Sequence, residues 1–280
     1  MEKIIKKISD WKIRNPGKIP NWPKQVAFQL LKATQSMRCM PDYCIIGAQK
    51  SGTTSLYSYL ALHPQVKPSY VKEIHYYNDY YNKGQKWYRA HFPLGPLERA
   101  KRDFITGEAS TMYLHDSVSA RRMFADVPDI KLMLVLRNPV DRAVSHYHHR
   151  IRSGRETRSF EDAMSRALSN ARAGEFTSGT ETDYLRYGCY AKDIKRWLEV
   201  FPEEQLRVIQ AEALFENPAP IFKDVSDFLG IDYLKPVSSR KFNAGGYVKD
   251  EVSLQAELEE YFKPFNADLY SMKSVDFSWD

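Results

Sequence analysis

Apolar positions gather into three short runs, each followed by a segment of helical character. Ile130–Leu136 (IKLMLVL) is almost continuously apolar, as a strand buried on both faces of a parallel sheet must be. Tyr43–Ile46 and Leu206–Gln210 are shorter runs of the same kind. Helices are predicted over Ser55–Leu62, stopping at His63-Pro64, over Val140–Arg152 and over Pro220–Leu229. Strands alternating with helices imply βαβ units. The expected fold is therefore a single α/β domain with a central, mostly parallel sheet flanked by helices. Arg150–Thr182 is charged and carries Gly154, Gly174 and Gly179, which predicts a mobile excursion around one helix, Ser159–Ala173. Residues 1–40 read as an N-terminal extension: an amphipathic piece at Ile4–Trp11, a proline-containing linker at Pro16–Pro23 and a helix over Lys24–Met37. Pro41 punctuates the chain, and residues 41–280 form the domain.

Composition narrows the ligand class. With 280 residues, 43% hydrophobic and 27% charged, the chain can bury a sizeable core. Its formal net charge of +6 favours anionic ligands. There is no zinc-finger spacing and no basic block with interleaved aromatics, so no nucleic-acid partner is expected. The first 25 residues are charged and broken by prolines, with no apolar run to act as leader or span. No membrane partner is expected, and the expected compartment is cytoplasmic. Three cysteines without a CxxC pair fit reduced thiols.

The chemistry begins at the segment IIGAQKSGTTSL, which lies between the first strand and the first helix. Open parallel sheets bind ligands at the carboxyl ends of their strands. Gly47 and Gly52 let the backbone approach an anion, Ser51, Thr53 and Thr54 add hydroxyl donors, and Lys50 adds charge. The spacing of the two glycines also fits the NTPase loop GxxxxGK(S/T). Here, however, Thr53 follows the second glycine and the only lysine comes earlier, at Lys50. An NTPase further needs a strand ending in an acidic residue to hold Mg²⁺. The strongest strand of this chain ends in Arg137-Asn138-Pro139. A basic strand end suits a second phosphate rather than a metal.

These two segments, in this order, resemble the sulfotransferases that use 3′-phosphoadenosine 5′-phosphosulfate as donor. GAQKSGTTSL is similar to that family's 5′-phosphosulfate loop, and LRNPVDRAVSHY (Leu136–Tyr147) to its 3′-phosphate site. KEIHYYN (Lys72–Asn78), GEASTMYL (Gly107–Leu114), SHYHHRIRSGRETRSFEDA and YGCYAKDIKRWLEVFP resemble the heparan-sulfate and bacterial carbohydrate-type branch. The resemblance implies a P-loop-like sulfotransferase fold, no metal, and adenosine 3′,5′-bisphosphate as product. It implies that Lys50, Ser51, Gly52, Thr53 and Thr54 hold the 5′-phosphosulfate, and that Arg137 and Ser145 hold the 3′-phosphate. Glu73 maps onto the branch's catalytic base, His75 onto its neighbour, and Lys50 onto the group facing the leaving phosphate. RKFNAGGYVKD resembles the loop that closes over the adenosine end, through Arg240, Lys241 and Gly246. Asn78 and Ala109 stand where the 3-O-sulfating heparan enzymes carry an aspartate and a lysine. The implied acceptor is therefore broader, a hydroxyl or amine of a carbohydrate or small-molecule metabolite.

Several residues keep two readings. Glu73 alone reads as a surface carboxylate paired with Lys72. Glu108 reads as a group orienting Lys50 or the acceptor. Tyr76–Trp87, with Trp87-Tyr88, reads either as an acceptor wall stacking on a sugar or as a packed aromatic cluster. Arg150, Arg152, Arg155 and Arg158 read as a solvated run or as a guide for anionic acceptors. His146, His148 and His149 lack a carboxylate or cysteine at ligand spacing, so no metal is expected. Two other functions stay open on the residues alone: a metal-dependent P-loop kinase or NTPase, and a nucleotide-binding module without chemistry. The presence of both Lys50 and Glu73 weighs against the second.

Overall fold

The computed structural model describes residues 28, 31–95, 103–176, 179–181, 183–235 and 254–279. The expected elements Ile4–Trp11 and Pro16–Pro23, most of Lys24–Met37, and Arg240, Lys241 and Gly246 lie outside them. Of the expected helix at Lys24–Met37, the described part ends in a 3₁₀ turn at Gln35–Met37.

Five strands form one sheet: β1 (Tyr43–Gly47), β2 (Val66–Pro68), β3 (Ile105–Ala109), β4 (Lys131–Leu136) and β5 (Leu206–Gln210). Their order is β2-β3-β1-β4-β5, and every pairing is parallel. The helices are α1 (Thr53–Leu62), α2 (Gly84–Arg89), α3 (Ser119–Asp126), α4 (Pro139–Arg152), α5 (Phe160–Arg172), α6 (Asp183–Arg186), α7 (Tyr190–Leu198), α8 (Ala211–Glu216), α9 (Pro218–Leu229) and α10 (Gln255–Tyr270).

β1 and β4 are almost entirely apolar because both of their faces are covered. Along β1, Tyr43 and Ile45 enter one core with Leu56, Tyr57 and Leu60 of α1 and with Phe222, Val225 and Leu229 of α9. Cys44 and Ile46 enter the other, with Ala120 and Met123 of α3 and Ala191, Ile194 and Trp197 of α7. Along β4, Met133 and Val135 join the first core, whereas Leu132, Leu134 and Leu136 join the second. This is the period-two alternation of a strand with no solvent face.

The same division of helices creates the crevice. The chain leaves β1 toward one face through α1, and leaves β3 and β4 toward the opposite face. The loop after β1 thus parts from the loops after both neighbouring strands, which is where open α/β sheets place a ligand. Close pairing of β1 with β3 depends on Gly107, opposite Tyr43 in register. A Cβ at Gly107 would stand 2.4 Å from the Tyr43 carbonyl oxygen.

Within Arg150–Thr182, the described residues around the helix pack more closely than the excursion their charge and glycines predict. Its helix α5 buries Phe160, Ala163, Met164, Ala167 and Leu168 in a third core with α4, α6 and α10. Two of the arginines that made the segment look solvated are satisfied locally. Arg158 pairs with Glu156 at 2.9 Å and with Glu181 at 3.3 Å, while Arg150 donates to the carbonyls of Gly179 and Thr180.

Candidate functional site

The loop after β1 is anchored and shaped before any ligand is considered. The Ala48 amide donates to the Val135 carbonyl of β4 at 2.9 Å. Lys50 takes a left-handed conformation, φ 71°. Gly52 precedes α1 at φ 98°, and a Cβ there would stand 2.6 Å from the Phe215 ring. Conformation and space both require glycine at Gly52. Thr53 and Thr54 form the first turn of α1, whose N-terminus no side chain caps. An uncapped helix start carries partial positive charge and free donors.

On the neighbouring strand, β4 ends at Leu136 and Arg137 follows directly. The Tyr190 hydroxyl donates to the Arg137 carbonyl at 2.8 Å, fixing the backbone where the side chain leaves. Asn138 caps α4 by accepting from the amides of Val140 and Asp141 at 2.9 and 3.4 Å, with Pro139 in the first turn. The Arg137 guanidinium lies 3.6 Å from Asp141. Ser145, buried to 9% exposure, sits farther along α4. Ser145, His149 and Arg152 share one helical face by their spacing.

Positive charge accumulates around Lys50. Burial lowers its pKa to about 8, and the charges of Arg152, Arg137, Arg142 and Lys72 push the same way. His149 is held below the ordinary imidazole value by burial, then by Lys50 and Arg152. Arg142 is fully buried and donates to the Tyr184 and Asp183 carbonyls. His146 lies edge-on to Tyr184, 5.1 Å between centroids, and parallel to Tyr187. Burial, with the charge of Arg142 behind it, holds His146 well below the ordinary imidazole value. This gathering of cationic side chains fits a ligand with phosphates at two positions.

The third arm is the segment Glu73-Ile74-His75, stitched to the end of β3. The Glu73 amide donates to the Ala109 carbonyl at 2.8 Å, and the Glu73 carboxylate accepts the Thr111 amide at 2.9 Å. Glu73 also pairs with Lys72 and lies 3.6 Å from His75 Nε2. The ion pair with Lys72 that the sequence suggests is thus present, on a carboxylate held by a second contact. Glu73 and His75 both adopt left-handed backbone, at φ 59° and 56°. Lys50 shares that rare conformation. Non-glycine residues rarely stay there unless their surroundings hold them, and they concentrate at functional sites.

Other candidates fall elsewhere. Tyr76, Tyr77 and Tyr88 are buried to 1% exposure or less, with Tyr76 stacked on Tyr88 at 4.4 Å. These three pack as a cluster, whereas Tyr80 is exposed and Tyr81 and Trp87 are half-buried. Glu108 is fully buried and reaches hydroxyls rather than Lys50 or the crevice. Arg152 and Arg155 remain exposed. Thr111 and Tyr190 carry no signal in the sequence, since they act through a backbone amide and a phenol that reaches a distant carbonyl.

Residues 40–250 match the family model described as a sulfotransferase domain. Heparan sulfate glucosamine 3-O-sulfotransferase 6 of Homo sapiens is 31% identical over 266 residues, covering 86% of this chain and 74% of that protein. The membrane-associated sulfotransferase kil1 of Dictyostelium discoideum is 26% identical over 86% of this chain and 67% of its own length. The solved sulfotransferase from Alicyclobacillus acidocaldarius superposes with a TM-score of 0.67 at 31% identity, covering 85% of this chain and 98% of that one.

Proposed function

This chain belongs to the sulfotransferase domain family, and from that premise we propose that it uses 3′-phosphoadenosine 5′-phosphosulfate to sulfate a carbohydrate or small-molecule hydroxyl or amine. The observation that carries the donor assignment is the meeting of two cationic arms at the carboxyl ends of adjacent strands β1 and β4. Lys50, Ser51, Gly52, Thr53 and Thr54 would hold the 5′ end, and Arg137 and Ser145 the 3′-phosphate. A carbohydrate acceptor is supported by the relative whose name gives heparan sulfate glucosamine as its acceptor.

The donor supplies the sulfuryl group and departs as adenosine 3′,5′-bisphosphate. Glu73 takes the proton from the acceptor as the new bond to sulfur forms. The Thr111 amide and Lys72 fix the carboxylate's direction. His75, with Nε2 3.6 Å from the carboxylate oxygen that the Thr111 amide also reaches, stands beside the base. Lys50 faces the charge that develops on the departing phosphate, in surroundings where burial makes that charge matter more than in water.

Lys50 gives this reading a pH signature. With its pKa brought down to about 8, the free enzyme loses the ammonium as pH rises through that value. kcat/KM for the donor reports free-enzyme groups, so it falls on the basic side with a midpoint near 8. A profile flat to pH 10 would remove Lys50 from the donor site. The function itself is tested by incubating the chain with radiolabelled donor and a panel of desulfated heparan oligosaccharides, amino sugars, phenols and amines. Transfer that survives chelator supports the reading. Magnesium-dependent ATP turnover without transfer overturns it.

A further inference from the structure

Glu108 lies on the face of β3 that looks into the tyrosine-rich core, with no exposure to solvent. Three hydroxyls donate to it. Tyr88 and Tyr113 reach Oε1 at 2.6 and 3.0 Å, and Ser110 reaches Oε2 at 2.6 Å. A hydroxyl that spends its proton this way turns its lone pairs outward. Two of the three then accept backbone amides from the strained segment that carries Glu73. The His75 amide donates to Ser110 Oγ at 3.1 Å, and the Tyr76 amide donates to Tyr113 at 2.8 Å. One buried carboxylate thereby sets the direction of both anchors beneath the left-handed backbone at Glu73 and His75.

We propose that Glu108 is a positioning residue: ionised, it orients Ser110 and Tyr113 to pin the His75 and Tyr76 amides, and so holds the Glu73 carboxylate in place. The proposal rests on Glu73 being the base. Glu108 does not touch the crevice itself, and its surroundings are closed. Tyr88 of α2, Ser110 and Tyr113 after β3, Tyr77 beyond the segment, Tyr57 of α1 and Cys44 of β1 surround it electrostatically. Glu73 is the carboxylate whose charge reaches it.

Protonation has a defined consequence. A protonated Glu108 becomes a donor toward one of the three hydroxyls, and that hydroxyl must send its own proton elsewhere. The anchors then lose their common orientation. Burial raises the Glu108 carboxyl to about 7 against the lowering effect of the three hydroxyls. The proton is therefore taken up as pH falls through about 7, and kcat falls with it.

The test compares Glu108→Gln, Ser110→Ala and Glu73→Gln with the native chain in kcat, donor KM, pH profile and amide hydrogen exchange. In Glu108→Gln, kcat falls by roughly 10- to 100-fold, the scale set by a displaced catalytic group, while donor KM stays within about twofold. The acid limb near pH 7 disappears, and exchange at the His75 and Tyr76 amides accelerates. Ser110→Ala, which leaves the carboxylate and both phenols, gives the same kcat-against-KM split and speeds exchange at His75. It carries the test if Glu108→Gln does not fold. A folded Glu108→Gln, or failing that a Ser110→Ala, with native kcat and native exchange overturns the proposal. If instead Glu73→Gln keeps native turnover, the base assignment fails separately, and exchange at the two amides still reports on Glu108.

Discussion

Exchanging Glu73 for glutamine lowers kcat by roughly 10²–10⁴-fold, the usual contribution of a positioned general base, and leaves affinity for adenosine 3′,5′-bisphosphate within about twofold. The amide keeps the shape of the side chain and one oxygen for the Thr111 N–H, so the segment stays attached to β3. What it loses is a group able to take the acceptor's proton. The nucleotide arms at β1 and β4 are separate elements, which is why binding is spared. Steady-state kinetics and calorimetry check the two halves, and a variant with native turnover would remove Glu73 from the chemistry.

Lys50→Met carries the second large effect. The thioether side chain has similar length and no charge, and the left-handed backbone at φ 71° faces the same demand as before. Turnover falls by about 10²–10³-fold, the loss typical of one removed charge-stabilising donor. The basic limb near pH 8 disappears with it, because the titrating ammonium is gone. Single-turnover measurements separate this from slower product release. A variant that keeps both the rate and the limb would show that another cation faces the leaving phosphate.

Much of this was legible in sequence, for a physical reason. β4 is buried along almost its whole length and the edge strand β5 buries Leu206, Val208 and Ile209, so their apolar runs stand out and their ends at Leu136 and Gln210 follow. Asn138-Pro139 announces the start of α4 by capping chemistry. The three residues of β2, Val66–Pro68, carry too little pattern to read, and β3 holds Thr106, Gly107 and Glu108 in only five positions. Thr106 is buried because its hydroxyl donates to the Lys67 carbonyl and its amide to Asp42. Glu108 is buried because Tyr88 of α2 joins Ser110 and Tyr113 in donating to it. Lys67, Asp42 and Tyr88 lie too far along the chain for a local window to contain them. α5 was legible as a helix but not as a packed one. Its core contacts are partly made by Ala163 and Ala167, and the acids that neutralise Arg158 lie on both sides of it. Of the site, the glycine loop and the basic strand end were plain. The left-handed backbone at Lys50, Glu73 and His75 was not, because nothing in a lysine, glutamate or histidine signals positive φ.

The proposed donor is a nucleotide phosphorylated at both ends and held without metal. Calorimetric titration with adenosine 3′,5′-bisphosphate and with adenosine 5′-monophosphate, both in excess chelator, tests it most directly. The bisphosphate binds about 10- to 100-fold more tightly, a difference of roughly 1.4–2.8 kcal/mol, and Arg137→Ala abolishes the preference. Equal affinity for the two nucleotides, or binding of ATP that appears only with magnesium, would contradict the account.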